Sequence, residues 1–174
     1  MGLRFVQTSM YFIRLEKTIL KFYLGITQER IPSSDVIYMR RTGEYGIENY
    51  RLMDTFKKWI KENNLYGENT VIYAVPMDNP GTTEPAQCRY DVCIKQPPGR
   101  GLAQNQVRCR KLEGGKYVTF LIPHTAVAIQ TAWNMCFSEL EKSGYLLDKS
   151  RPVMERYKKT LVDRHSCGLC VPVL

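Results

Sequence analysis

The stretch VRCRKLEGGKYVTFLI, residues 107–122, reads as two strands joined by a turn. Val107 to Leu112 is the first strand, Gly114-Gly115 a tight hairpin turn, and Tyr117 to Ile122 the partner strand. In that partner strand Val118, Phe120 and Ile122 alternate with Tyr117, Thr119 and Leu121. Alternate residues share a face, so Val118, Phe120 and Ile122 are expected under a helix and the other set toward a cleft. A helix follows from about Ala126 to Lys142, with Ile129, Ala132, Trp133, Cys136, Phe137 and Leu140 as its stripe. Ser143-Gly144 ends it, because glycine takes the left-handed conformation that closes helices. Strands are expected at Val153 to Tyr157 and from about Leu169 to Val173.

The same order occurs upstream. Phe22 to Arg30 and Val36 to Arg41 are strand-like and flank the turn Pro32-Ser33-Ser34-Asp35. A helix is expected from about Ile47 to Asn64, burying Met53, Phe56 and Ile60 with Trp59 beside them. Strands follow at Val71 to Val75 and at Cys88 to Lys95, where Tyr90, Val92 and Ile94 share a face. The two series are offset by about 80 residues, matching Val36 with Tyr117 and Val71 with Val153. The expected fold is therefore α+β: a tandem duplication of a strand-helix-strand-strand unit. Its curved antiparallel sheet would carry two main helices on one face and a cleft on the other. Repeat one spans 21–96, a Pro-Gly linker 97–104 and repeat two 105–174. Residues 1–20, with an apolar stripe through Val6, Met10, Ile13 and Leu20, are expected as an N-terminal helical extension.

Composition bounds the function. The chain has 174 residues, 44% of them hydrophobic and 24% charged, which suits one domain with a real core. The net charge is +8, but the basic residues are scattered, so no direct nucleic-acid binding is expected. No apolar run of about 18 residues or signal-peptide pattern occurs, so no membrane partner and a cytoplasmic location are expected. Cys167 and Cys170 form a lone CxxC near His165, short of the four ligands that structural zinc needs. The six cysteines are read as ordinary thiols, with no metal and no cofactor.

Several motifs recur in a known order. They are Tyr38-Met39-Arg40-Arg41-Thr42-Gly43-Glu44-Tyr45, Ile72-Tyr73 leading to Asp78-Asn79-Pro80, and Cys88-Arg89-Tyr90-Asp91-Val92-Cys93. Gly114-Gly115-Lys116-Tyr117, Ser143-Gly144-Tyr145 and Pro152-Val153-Met154-Glu155-Arg156-Tyr157 follow, and Val171-Pro172-Val173 closes the chain. In these the sequence resembles the GyrI-like (gyrase-inhibitor-like) effector-binding domains, also found fused to AraC-type and MerR-type regulators. The resemblance covers roughly residues 25–174. It implies an aromatic-lined pocket where the repeats join, with Glu155 as polar anchor. The expected ligand is a lipophilic, cationic or aromatic organic molecule, sensed or sequestered and linked to transcription regulation. Two alternatives stay open: hydrolysis of electrophilic small molecules through Glu155, and a gyrase-inhibitor-like module whose partner is a protein, either gyrase or a regulator.

Alternation places Val153, Glu155 and Tyr157 on one strand face and Met154 on the other. With Met154 under the helices, Glu155 would face a helix-free cleft. A carboxylate among aromatic walls is poorly solvated and must pair with a cation or take up a proton. Tyr38, between Ile37 and Met39, is expected on the cleft side, as are Thr119 and Tyr73, the duplicate of Glu155. Trp133 and Phe137, one helical turn apart, are candidate walls. Arg89 and Asp91 are expected as a salt bridge or rim feature, and His124 as structural.

Overall fold

A computed structural model describes residues 21–99 and 106–174. The expected N-terminal helix and most of the linker lie outside them. Strands β1 (Gly25–Ile31) and β2 (Ser34–Thr42) precede helix α1 (Ile47–Glu62). Strands β3 (Val71–Pro76) and β4 (Arg89–Lys95) follow, with a short 3-10 turn at Pro85–Gln87 between them. The second half holds β5 (Arg108–Leu112), β6 (Gly115–Pro123), α2 (Ala126–Lys142), β7 (Met154–Lys158), the single-turn α3 (Lys159–Val162) and β8 (Ser166–Pro172).

All eight strands form one antiparallel sheet in the order β1-β6-β8-β7-β3-β4-β2-β5. The order reads alike from both ends when β1 is matched with β5, β6 with β2, β8 with β4 and β7 with β3. Chain connectivity forces this sheet to curl. Only Pro32 and Ser33 separate β1 from β2, a reach of about 10 Å, yet six strand spacings of roughly 4.8 Å lie between them in the ladder. The two hairpin corners therefore meet. Gly114 N–H donates to Ser33 Oγ at 2.9 Å, and a Cβ on Gly114 would stand 2.2 Å from Ser33 N. No residue larger than glycine fits there.

The concave face encloses its own core of Val36, Tyr38, Val75, Cys93, Tyr117, Met154 and Cys170. The helices cover the other face. Helix α1 buries Phe56, Trp59 and Ile60 on β2 and β4, against Ile37, Met39 and Val92. Helix α2 buries Ala132, Cys136 and Leu140 on β6 and β8, against Val118, Phe120 and Leu169. The central pair, β7 and β3, is thus left between the two helices.

Both helices end alike. Tyr145 N–H bonds Leu140 O beside Gly144 at φ 78°, and Leu65 N–H bonds Ile60 O beside Asn64 at φ 54°. Both are left-handed closures, as Ser143-Gly144 suggested. At the other end of α2 the Thr125 hydroxyl accepts from Ala128 N–H at 3.2 Å.

Candidate functional site

Strand register decides where Glu155 points. Glu155 pairs with Ala74 on β3 and Leu169 on β8, both of which belong to the helix-covered cores. Met154 pairs with Cys170 and belongs to the concave core. The expectation that Met154 lies under the helices is therefore corrected: Glu155 and Tyr157 occupy the helical face, in the furrow between α1 and α2. The sequence is silent on this because Met154, Glu155 and Arg156 are all buried, so alternation gives β7 no visible outside.

Glu155 is 9% exposed. Trp133 Nε1–H, from α2, donates to its Oε1 at 2.7 Å, and Tyr157 O–H donates to its Oε2 at 2.5 Å. Among the described residues no Lys or Arg makes an ion pair with it. Burial pushes the Glu155 carboxyl above its ordinary value, while the Tyr157 and Trp133 hydrogen bonds pull it back. Burial, and then the neighbouring Glu155 charge, push the Tyr157 and Tyr90 hydroxyls up. The site is a desolvated carboxylate held by two neutral donors.

Aromatic residues lead outward from it: beyond Trp133 and Tyr157, Tyr90 feels its charge. Tyr90 comes from β4 and packs edge-on against Tyr45, ring centroids 6.0 Å apart. Tyr50, 53% exposed on α1, lies within electrostatic reach of Tyr90. His124, just before α2, tilts against Tyr157 at 5.3 Å. Tyr90, Tyr45 and Tyr50 were not among the expected walls. The shared face of Tyr90, Val92 and Ile94 was the signal that could have found Tyr90.

The remaining expected residues separate from this group. Ile37 and Met39 do face α1, so Tyr38 lies on the opposite face as anticipated, but there it is packed into the concave core. Arg40 and Arg110 stand 5.2 and 5.3 Å from its ring and both bond Asp91, at 2.6 and 3.0 Å. Asp91 thus pairs with these two arginines, and Arg89 pairs instead with Asp78 at 2.7 Å. Thr119 donates to Glu29 at 2.7 Å, and Glu29 also holds Arg156. Tyr73, its hydroxyl pushed up to about 12 by burial, lines an open hollow of about 580 Å³ with Ile31, Leu65, Tyr66 and Pro97. None of Tyr38, Tyr73 and Thr119 reaches the Glu155 side of the sheet. Phe137 lies one turn beyond Trp133 and is 42% exposed. Cys167 and Cys170 belong to opposite cores, so the CxxC cannot clasp one ion.

A curled sheet with an acidic, aromatic-walled furrow between two helices is the architecture of a small-molecule-binding domain. The model of the GyrI-like small molecule binding domain matches residues 26–174, and the chain belongs to that family. It is 38% identical over 151 residues to the SPbeta prophage-derived candidate transcriptional regulator YosT of Bacillus subtilis strain 168, covering 86% of this chain and 99% of the relative. Its fold is similar to the EcmrR C-terminal domain, with TM-score 0.64, 14% identity and 88% and 99% of the two chains covered. Against EcmrR in its DNA complex the TM-score is 0.66 at 14% identity, covering 86% of this chain and 57% of that one. SAV2435 bound to tetraphenylphosphonium gives TM-score 0.54 at 14% identity, over 87% and 94%. No helix among the described residues is long and apolar enough to cross a membrane.

Proposed function

We propose that this chain binds lipophilic organic cations in the furrow between α1 and α2, with Glu155 as counter-charge and Trp133, Tyr157 and Tyr90 as walls. One observation carries the reading: a buried carboxylate with two neutral donors and, among the described residues, no Lys or Arg in an ion pair with it. Such a group is destabilised as an anion, and a bound cation removes that cost by supplying the missing partner. Ring faces add about 0.5–2 kcal/mol each for a cation stacked on them. Phe137, exposed on the same side of α2 as Trp133, would extend the wall. The solved relative bound to tetraphenylphosphonium supports this ligand class.

The biological setting we infer is ligand sensing or sequestration in the cytoplasm, coupled to transcription regulation, as the YosT and EcmrR likenesses suggest. The test is calorimetric titration with tetraphenylphosphonium and with neutral triphenylphosphine oxide. The cation should bind more tightly, and Glu155→Gln should weaken it by about 1–3 kcal/mol while barely changing the neutral compound. Equal loss for both, or no preference for the cation, would sink the reading.

A further inference from the structure

One end of the furrow carries positive charge that the cation-binding reading does not use. Tyr50, Met53 and Lys57 follow one another at spacings of three and four along α1, so they share a flank of the helix. Tyr50 and Met53 are the residues of that flank nearest Tyr90 and the α1 core. Lys57, one turn further along, is half-buried and makes no ion pair among the described residues. It stands within electrostatic reach of His124. His124 packs on Tyr157 at 5.3 Å, and Tyr157 bonds Glu155 at 2.5 Å. Burial, then Lys57, favour the neutral form of His124. Along the furrow the order is thus a buried carboxylate, a tyrosine, a neutral imidazole and a lysine.

We propose that Lys57 and His124 form an anion subsite, so that the preferred ligands are amphoteric: a delocalised cation on Glu155 and a carboxylate or similar acid beyond Tyr157 and His124, at Lys57. This rests on the cation-binding reading above and narrows it. A half-buried ammonium that forms no ion pair among the described residues gains from a ligand carboxylate for the same reason that Glu155 gains from a cation. His124 can donate a hydrogen bond to the same acid without carrying charge. Among the described residues Lys57 and Glu155 form no ion pair with each other, so each keeps its charge for a ligand group of opposite sign.

The experiment compares rhodamine B, which carries a free carboxylate, with its ethyl ester, which is a cation of nearly the same shape. Affinities are measured by fluorescence anisotropy, and the acid-to-ester ratio is the readout, so the ester serves as reference within each protein. In the unaltered chain the acid should bind better than the ester. Lys57→Met should cut the acid-to-ester ratio by roughly three- to tenfold, and Lys57→Arg should restore most of it. An unchanged ratio in Lys57→Met, or an ester that binds better than the acid throughout, overturns the subsite while leaving the cation reading intact. If neither dye binds, or if Glu155→Gln leaves the ester unaffected, the cation reading itself falls and the subsite with it.

Discussion

Trp133 Nε1 lies 2.7 Å from Oε1 of Glu155, a hydrogen bond that ties helix α2 to the central strand β7. The bond does two things. It satisfies one oxygen of a carboxylate that water scarcely reaches, and it fixes where the side chain points. A cation entering the furrow would therefore meet a charge already oriented, so less side-chain freedom is lost on binding.

Trp133→Phe removes the donor and keeps an aromatic wall. The carboxylate loses one of its two stabilising bonds, so its anionic form is harder to keep. The variant should bind tetraphenylphosphonium more weakly by about 1–2 kcal/mol, and the loss should shrink as pH rises. A loss independent of pH would mean that the indole acts by contact alone.

Glu155 also makes stability depend on pH. Its folded-state value is raised above the ordinary 4.5. A raised carboxyl favours the protonated, folded form, so its contribution is full below about pH 4.5 and is lost as pH climbs through the folded value. Glu155→Gln mimics the protonated form throughout. The gap in melting temperature between variant and parent should be small at low pH and should grow in favour of the variant toward neutral pH. A constant gap would show that folding does not shift the titration of Glu155.

Tyr73→Phe tests which side of the sheet takes ligand. Tyr73 pairs with Cys93 and Arg156 and packs against the concave core, away from Glu155. Removing its hydroxyl should leave tetraphenylphosphonium affinity within about twofold, or roughly 0.4 kcal/mol. A tenfold loss would place the ligand on the concave side instead.

Asp91→Asn tests the concave rim. Asp91 is fully buried, and Arg40 and Arg110, each about one-fifth exposed, both depend on it. Removing the shared anion leaves two guanidinium groups crowded over Tyr38. Partial exposure moderates the cost, so unfolding stability should fall by about 2–4 kcal/mol in chemical denaturation. A change below about 0.5 kcal/mol would show that the arginines find other partners or water.

Much of this was legible in the sequence. Alternation alone sorts Val118, Phe120 and Ile122 from Tyr117 and Thr119, and Ile37 and Met39 from Tyr38, because successive side chains in a strand point to opposite sides. Helical spacing likewise locates the buried stripes of α1 and α2, and Gly144 marks where α2 stops. The family resemblance implied Glu155 as the polar anchor, a role that the Glu155→Gln titration tests. Each of these is a local property that a few neighbouring residues determine.

The tertiary structure decided which side of the sheet matters at β7. The segment Met154–Lys158 is buried on both faces at its start, so its sequence has a period but no sign. The sign comes from hydrogen-bonded neighbours far along the chain, Ala74 for Glu155 and Cys170 for Met154. The curl of the sheet then fills the concave side with Tyr38, Tyr117 and Met154, while α1 and α2 sit on separate halves with β7 between the strands they cover. That is why Trp133, Tyr157 and Tyr90 meet at Glu155 whereas Tyr38, Tyr73 and Thr119 do not: side chains share a site only when register and curvature put their strands' same faces together, and neither is encoded within a single strand.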